Sequence, residues 1–196
     1  TAFKYLIGIP KCRQKATANR TLVIGIISAP NKFVSRHILR QTWLRHLRDP
    51  HYHRQLIDVV GYGFILGQTS DKKLQSMIEE ESKKFGDILQ VEVIDNYRNL
   101  TRKSAALLNW VNNNCSHVDF VMKIDDDSYC NVHNLANILT DLSPKEMSVY
   151  GMKCGDHDSI WIHTDMHDYT CIIVIHIITS FLYIIFNVIT TSYLFI

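Results

Sequence analysis

Val118-Asp119-Phe120-Val121-Met122-Lys123-Ile124-Asp125-Asp126-Asp127, VDFVMKIDDD, decides how this chain is read. Residues 118–124 form a mainly apolar run of the length that suits a strand buried on both faces. The run ends in three consecutive carboxylates, and a short helix is predicted from about Val132 to Leu142. Bare carboxylates in a row repel one another, and a bound divalent cation relieves that repulsion. An all-oxygen set suits Mg²⁺ or Mn²⁺ rather than zinc. Alternation along the chain points Asp125 and Asp127 one way and Asp126 the other. The competing reading is an acidic turn that caps the following helix.

Upstream, Thr21–Ser28 (TLVIGIIS) and Leu56–Leu66 (LIDVVGYGFIL) read as two further buried strands, with Gly61 and Gly63 hinting at a bulge. Ile88–Ile94 (ILQVEVI) alternates apolar and polar, the period of a half-buried strand. Helices are predicted over Phe33–Leu47, over Asp71–Phe85 with Gly86 as its stop, and over Arg102–Asn113. Met147–Tyr150 is one further candidate strand. Strands that alternate with helices imply an α/β layer architecture with a largely parallel sheet. In such sheets ligands sit at the carboxyl ends of the strands, where the aspartates fall.

The whole chain has 196 residues and a net charge of +2, which argues against a broadly basic nucleic-acid binder. Residues 1–55 hold eleven Lys/Arg and one acid, Asp49, whereas the remainder is net acidic. That asymmetry suits phosphate binding, or simply a dipolar surface. Residues 171–196 contain no Asp, Glu, Lys or Arg, and 19 of these 26 are apolar. The stretch is long enough for a membrane helix. Its nine Ile and scattered Thr, Ser and Asn are unlike the Leu-rich average of such helices. The competing readings are an aggregating extended segment and, favoured by the break in the motif pattern, translated intron or a frame error. The five cysteines show no C-x-x-C pair or zinc spacing, and His51 and His53 read as surface residues. Asn99-Leu100-Thr101 and Asn114-Cys115-Ser116 fit the N-glycosylation pattern. The chain starts at Thr1, so a fragment is expected, and TAFKYLIGIP is too short and interrupted for a signal peptide or anchor.

Four blocks in order give the chain a family resemblance. They are Arg36-His37-Ile38-Leu39-Arg40-Gln41-Thr42-Trp43, Phe64-Ile65-Leu66-Gly67, Asp87-Ile88-Leu89 with Asp95-Asn96-Tyr97-Arg98-Asn99-Leu100-Thr101-Arg102-Lys103, and Lys123-Ile124-Asp125-Asp126-Asp127. They resemble R-x-x-I-R-x-T-W, F-x-x-G, D-I-L…D-x-Y-x-N-L-T-x-K and K-x-D-D-D of glycosyltransferase family 31. That family comprises inverting β-1,3-galactosyl- and N-acetylglucosaminyltransferases that use UDP-sugars. The resemblance implies a GT-A-like nucleotide-sugar-binding sandwich and a Golgi membrane enzyme with a lumenal catalytic domain. Carried over by position, it implies that Asp127 binds the Mn²⁺ (or Mg²⁺) holding the diphosphate. Asp125 and Asp126 would lie beside the nucleotide-sugar, and Arg36, Arg40 and Lys103 would contact the nucleotide. Against that, Arg40 and Lys103 suit a structural network with local carboxylates.

The resemblance runs from about Leu22 to Gly151. Beyond it the family carries an acidic E-D-V motif that supplies the catalytic base, and no E-D-V occurs in this chain. The expected organisation is therefore a lead-in or stem remnant over 1–20 and a truncated nucleotide-sugar-binding part over 21–151. An unmatched linker over 152–170 and the apolar segment over 171–196 follow. The expected partners are a UDP-sugar, a glycan acceptor and a membrane, with no nucleic acid. Two functions of other classes compete: a non-catalytic, membrane-tethered module that binds UDP-sugar or a partner enzyme, and polyanion binding through residues 1–55.

Overall fold

Along Arg20–Ile27, Leu22, Ile24 and Ile26 join one hydrophobic cluster while Val23 and Ile27 join a second on the opposite side. This alternation makes the strand the middle of a three-layer sandwich, because both of its faces are buried. A computed structural model describes residues 3–14, 20–53, 55–115, 118–142, 149–150 and 173–176. In chain order these form β1 (Tyr5–Ile7), β2 (Arg20–Ile27), α1 (Phe33–Gln41), α2 (Trp43–Arg48), β3 (Ile57–Gln68) and α3 (Lys72–Phe85). Then follow β4 (Ile88–Ile94), α4 (Leu100–Asn114), β5 (Phe120–Asp125), α5 (Val132–Asp141), β6 (Val149–Tyr150) and β7 (Ile173–His176).

The sheet order is β1-β4-β3-β2-β5-β7-β6. The four central strands β4, β3, β2 and β5 are mutually parallel, and β1 and β7 flank them antiparallel. The first cluster packs α1, α2, α3 and α5 on one face through Leu39, Trp43, Leu44, Ile78, Leu135 and Leu139. On the other face Leu107, Leu108, Trp110 and Val111 of α4 cover Val23, Ile65, Leu89 and Val121. Gly25 lets α4 approach: a Cβ there would lie 2.1 Å from a Leu107 methyl. The β2–β3 register shifts between Leu22 and Val23, so the expected irregularity falls just before Gly61.

Several boundaries differ from the sequence reading. The helix expected over Phe33–Leu47 is two helices, broken at Thr42, whose backbone sits at φ −107°, ψ −122°. The Thr42 hydroxyl donates to the Ile38 carbonyl at 2.9 Å, a back-bond that competes with helix continuation. After the break Trp43, Leu44 and Leu47 are all buried. The alternation expected in β4 holds only from Val91 onward, since Ile88–Val91 are all buried. Gln90 is accommodated there by donating to the Gly67 carbonyl and exchanging hydrogen bonds with Gln75.

Residues 3–14, expected only to lead into the domain, are built into it. β1 pairs with β4, Tyr5 donates its hydroxyl to the Ala106 carbonyl at 2.8 Å, and Cys12 is disulfide-bonded to Cys115. Arg13 pairs with Asp58. Of the apolar segment, Ile173–His176 are described, and they pair antiparallel with β5 and β6. The rest of that segment and the 152–170 linker lie outside the described residues. Among the described residues no helix is long and apolar enough to cross a membrane. The glycosylation-pattern asparagines Asn99 and Asn114 are half-buried, with side-chain amides donating to the Ile94 and Trp110 carbonyls.

Candidate functional site

From β2 the chain runs to β3 and then β4 on one side, and returns to β5 on the other side of β2. The order therefore reverses between β2 and β5, and the crevice at the carboxyl ends of those strands is where an open α/β sheet binds ligands. Ile27 pairs with Asp125 there. Ser28 and the aspartate triplet form the two lips.

The three carboxylates have different surroundings. Asp125 is half-exposed and ion-paired with Lys123 at 3.1 Å, two residues back on the same face of β5. Asp126 is held: its backbone N–H donates to the Ile27 carbonyl at 3.1 Å, and its carboxylate accepts from the Ser28 hydroxyl at 2.6 Å. Asp127 is exposed, and its recorded contact is a long 3.4 Å one from the Ser128 hydroxyl. The turn is pinned by Ser128 N–H to the Asp125 carbonyl, and by the buried Trp43 indole N–H to the Ser128 carbonyl at 3.1 Å.

Among the described residues no three His, Cys, Asp or Glu side chains converge as a metal cage. A Mg²⁺- or Mn²⁺-type site does not require one, because such ions take one or two carboxylates and complete their shell with water and phosphate oxygens. An exposed Asp127 on a fixed turn fits that mode. Cys130, three residues on, does not compete as a ligand: it is buried, and burial pushes its thiol up to about 12.

The three basic residues named with the triplet lie behind the crevice. Arg36 is 0% exposed, and all five of its N–H donors meet protein atoms: the Glu81 carboxylate, the Ser28 hydroxyl, and the Ala29 and Pro30 carbonyls. Arg40 grips Asp87 through two bonds of 2.8 and 2.7 Å and donates to Glu81 at 2.8 Å. Burial works against the Arg40 charge, but Asp87 and Glu81 outweigh it and raise the pKa above the ordinary guanidinium value. Lys103 is buried and donates to the Ser28 carbonyl at 2.8 Å and to Asp95 at 2.9 Å. Asp95 also accepts the Gly67 N–H at 2.7 Å. Structural pairing of Arg40 and Lys103 was the alternative reading, and the geometry puts Arg36 in the same network.

Ser28, Glu81, Trp43 and Ser128 are the participants that sequence reasoning missed or read only as core. Glu81 stands among Glu79, Glu80 and Ser82 on a polar helix, with no sequence signal to single it out. Asp87, Asp95 and Gly67 were legible as members of ordered blocks, though without a role. Of the eleven basic residues in 1–55, Lys4, Arg13, Arg36 and Arg40 sit in ion pairs, those of Arg36 and Arg40 inside the domain and those of Lys4 and Arg13 at its surface.

The Galactosyltransferase family model matches residues 34–176, α1 through β7. The match therefore extends beyond Gly151, where the motif resemblance ended. Among curated proteins, human (Homo sapiens) β-1,3-galactosyltransferase 2 is 36% identical over 146 residues, covering 73% of this chain and 33% of that protein. Mouse (Mus musculus) β-1,3-galactosyltransferase 1 is 34% identical over 150 residues, covering 76% of this chain and 43% of that protein. The chain thus spans about a third to two-fifths of the length of these relatives. A match over most of the chain, on a mainly parallel sheet with acidic residues at its reversal point, establishes that this chain belongs to the galactosyltransferase family, glycosyltransferase family 31.

Proposed function

We propose that this chain carries the donor-binding part of a hexosyltransferase. The enzyme would move a hexose or N-acetylhexosamine from a UDP-sugar to a sugar hydroxyl, with inversion and with Mn²⁺ (or Mg²⁺) as cofactor. The observation that carries the reading is the exposed Asp127 carboxylate on a pinned turn at the β2/β5 reversal. Asp127 would hold the cation, with Asp125 and Asp126 beside the nucleotide-sugar. The cation supplies charge neutralisation at the departing diphosphate. The chain's own residues set the geometry: Ser28 fixes Asp126, Lys123 balances Asp125, and Trp43 anchors Ser128. Arg36, Arg40 and Lys103 serve this site by holding its walls. An inverting transfer also needs a base for the acceptor hydroxyl, and no described residue is assigned that role.

The Cys12–Cys115 disulfide supports a lumenal, oxidising setting, in keeping with Golgi residence on a membrane. The same pinned carboxylate turn also suits, as second reading, a non-catalytic, membrane-tethered module that binds UDP-sugar or a partner enzyme. Product formation from a UDP-hexose and a sugar acceptor separates the two.

Calorimetric titration of UDP into the whole chain tests the shared donor-binding core. Saturable binding is expected with Mn²⁺ and not with excess chelator, and Asp127→Asn should weaken it about tenfold or more, as loss of a charged metal ligand would. Failure of the unaltered chain to bind UDP with Mn²⁺ present would sink the proposal.

A further inference from the structure

Ser28 is the first residue after β2, buried, and no motif singles it out. Yet it joins four elements at the reversal point. Its N–H donates to the Ile65 carbonyl of β3 at 3.1 Å, and its carbonyl accepts from Lys103 of α4 at 2.8 Å. Its hydroxyl accepts from Arg36 Nη1 of α1 at 3.1 Å and lies 2.6 Å from Asp126 Oδ2 on the β5 turn.

A hydroxyl has one proton and can accept as well as donate. A guanidinium carries donors and no acceptor, so the hydroxyl accepts from Arg36 and gives its own proton to Asp126. That gives the chain a direction. Glu81 and the carbonyls of Ala29 and Pro30 fix the guanidinium. The guanidinium orients the hydroxyl, and the hydroxyl then makes a short, charge-assisted bond to one carboxylate oxygen. Asp126 therefore presents its other oxygen in a set direction, and Asp127, its neighbour on the same turn, shares that constraint.

We propose that Ser28 is a positioning residue of the donor site. It transmits the rigidity of the buried Arg36–Glu81 pair to Asp126, and so orients the carboxylates that meet a nucleoside diphosphate and its cation. This rests on the donor-binding reading above. Ser28 touches neither reacting atom; its effect runs through Asp126.

The test is a double-mutant cycle on the whole chain with Ser28→Ala, Asp126→Ala and the pair, titrated with UDP in the presence of Mn²⁺. Ser28→Ala should weaken binding about tenfold, the size expected for a lost hydrogen bond to a charged group. Arg36 Nη1 keeps its 2.7 Å bond to the Ala29 carbonyl, so the fold persists and the melting temperature changes little. The double variant should bind no more than about twofold worse than Asp126→Ala alone, because Ser28 has nothing left to act through. Ser28→Thr, which retains the hydroxyl, should recover most of the affinity.

A second readout is independent of nucleotide: exchange of the Asp126 and Ser128 amide protons should quicken in Ser28→Ala. Unchanged UDP affinity in Ser28→Ala, or fully additive losses in the cycle, would overturn the proposal while leaving the donor-binding reading intact. Absence of UDP binding by the unaltered chain would remove both.

Discussion

Replacing Glu81 with glutamine changes a carboxylate oxygen to an amide nitrogen and almost nothing in volume. The side chain is nearly enclosed, and its two oxygens accept from Arg36 Nε, Arg36 Nη2 and Arg40 Nη1 at 2.7–3.1 Å. With Asp87, the group holds two guanidinium ions against two carboxylates, so its buried charge sums to zero. Glutamine leaves one positive charge uncompensated and turns an N–H donor toward arginines that only donate. Removing one partner from a buried ion pair typically costs about 3–5 kcal/mol. The arginines retain some help from aromatic faces: Phe33 lies 4.6 Å from Arg36, and Phe85 lies 4.1 Å from Arg40. Each such contact contributes about 0.5–1 kcal/mol or more, which places the net loss near the lower end, about 3 kcal/mol.

For a urea slope of about 1–3 kcal/mol/M, that loss lowers the unfolding midpoint by about 1–3 M. Glu92→Gln is the control. It breaks the Lys4–Glu92 pair, whose side chains are 69% and 43% exposed, and should cost under about 1 kcal/mol. Parallel urea titrations followed by circular dichroism decide the matter. Equal midpoints for the two variants would refute the claim that Glu81 neutralises the enclosed Arg36 and the largely buried Arg40.

Gly67→Ala should destabilise by about 1–3 kcal/mol, because a Cβ there would sit 2.6 Å from the Val93 carbonyl oxygen and 2.9 Å from Asp95 Cα, backbone atoms that cannot swing aside. A urea midpoint within error of the unaltered chain would contradict this. Alkaline pH gives a further test, since burial pushes both Tyr5 and Cys130 up to about 12 from ordinary values of 10.0 and 9.0. Both groups are neutral when protonated, and the folded state holds the proton longer than the unfolded one. The stability they contribute is complete below the unfolded values and drains as pH rises from about 9 through about 12. Urea midpoints measured across that range should fall, and the combined Tyr5→Phe, Cys130→Ala variant should fall less steeply; an identical slope would count against the account.

The central strands were legible because burial on both faces demands mainly apolar runs, as in β2 and β5. Helix α3 was marked at both ends by local chemistry. Asp71 accepts from the Lys73 and Leu74 amides, and Gly86 takes φ +67°, where a side chain is disfavoured. The break at Thr42 was hidden because threonine is tolerated inside helices, and what redirects the chain is burial of Trp43 against a turn 85 residues away. β1 and β7 are only three and four residues long, too short for a period to show. The place of the aspartates at the end of β5 was readable from the strand that precedes them. The internal pairing of Arg36 with Glu81 was not, because a basic residue carries the same letter whether it faces a ligand or an internal carboxylate. Only the fold decides that Glu81, rather than Glu79 or Glu80, completes the shell of Arg36 and Arg40.

Cys12 and Cys115 are 103 residues apart, and the loop they close contains β2, β3, β4 and α1 through α4. It leaves out β5. Once a growing chain has been made as far as residue 115, everything within that covalent ring is present except a partner for the open flank of β2. The strand bearing the aspartates is then the next to be synthesised, and although the backbone tethers it to Cys115, hydrogen bonding and burial alone hold it against β2. An unpaired flank of this kind is prone to capture by other chains, so the interval before β5 docks is the vulnerable one in biogenesis. The crevice between Ser28 and Asp126 is thus a seam of assembly, with one lip inside the ring and the other added after the ring's residues have been made.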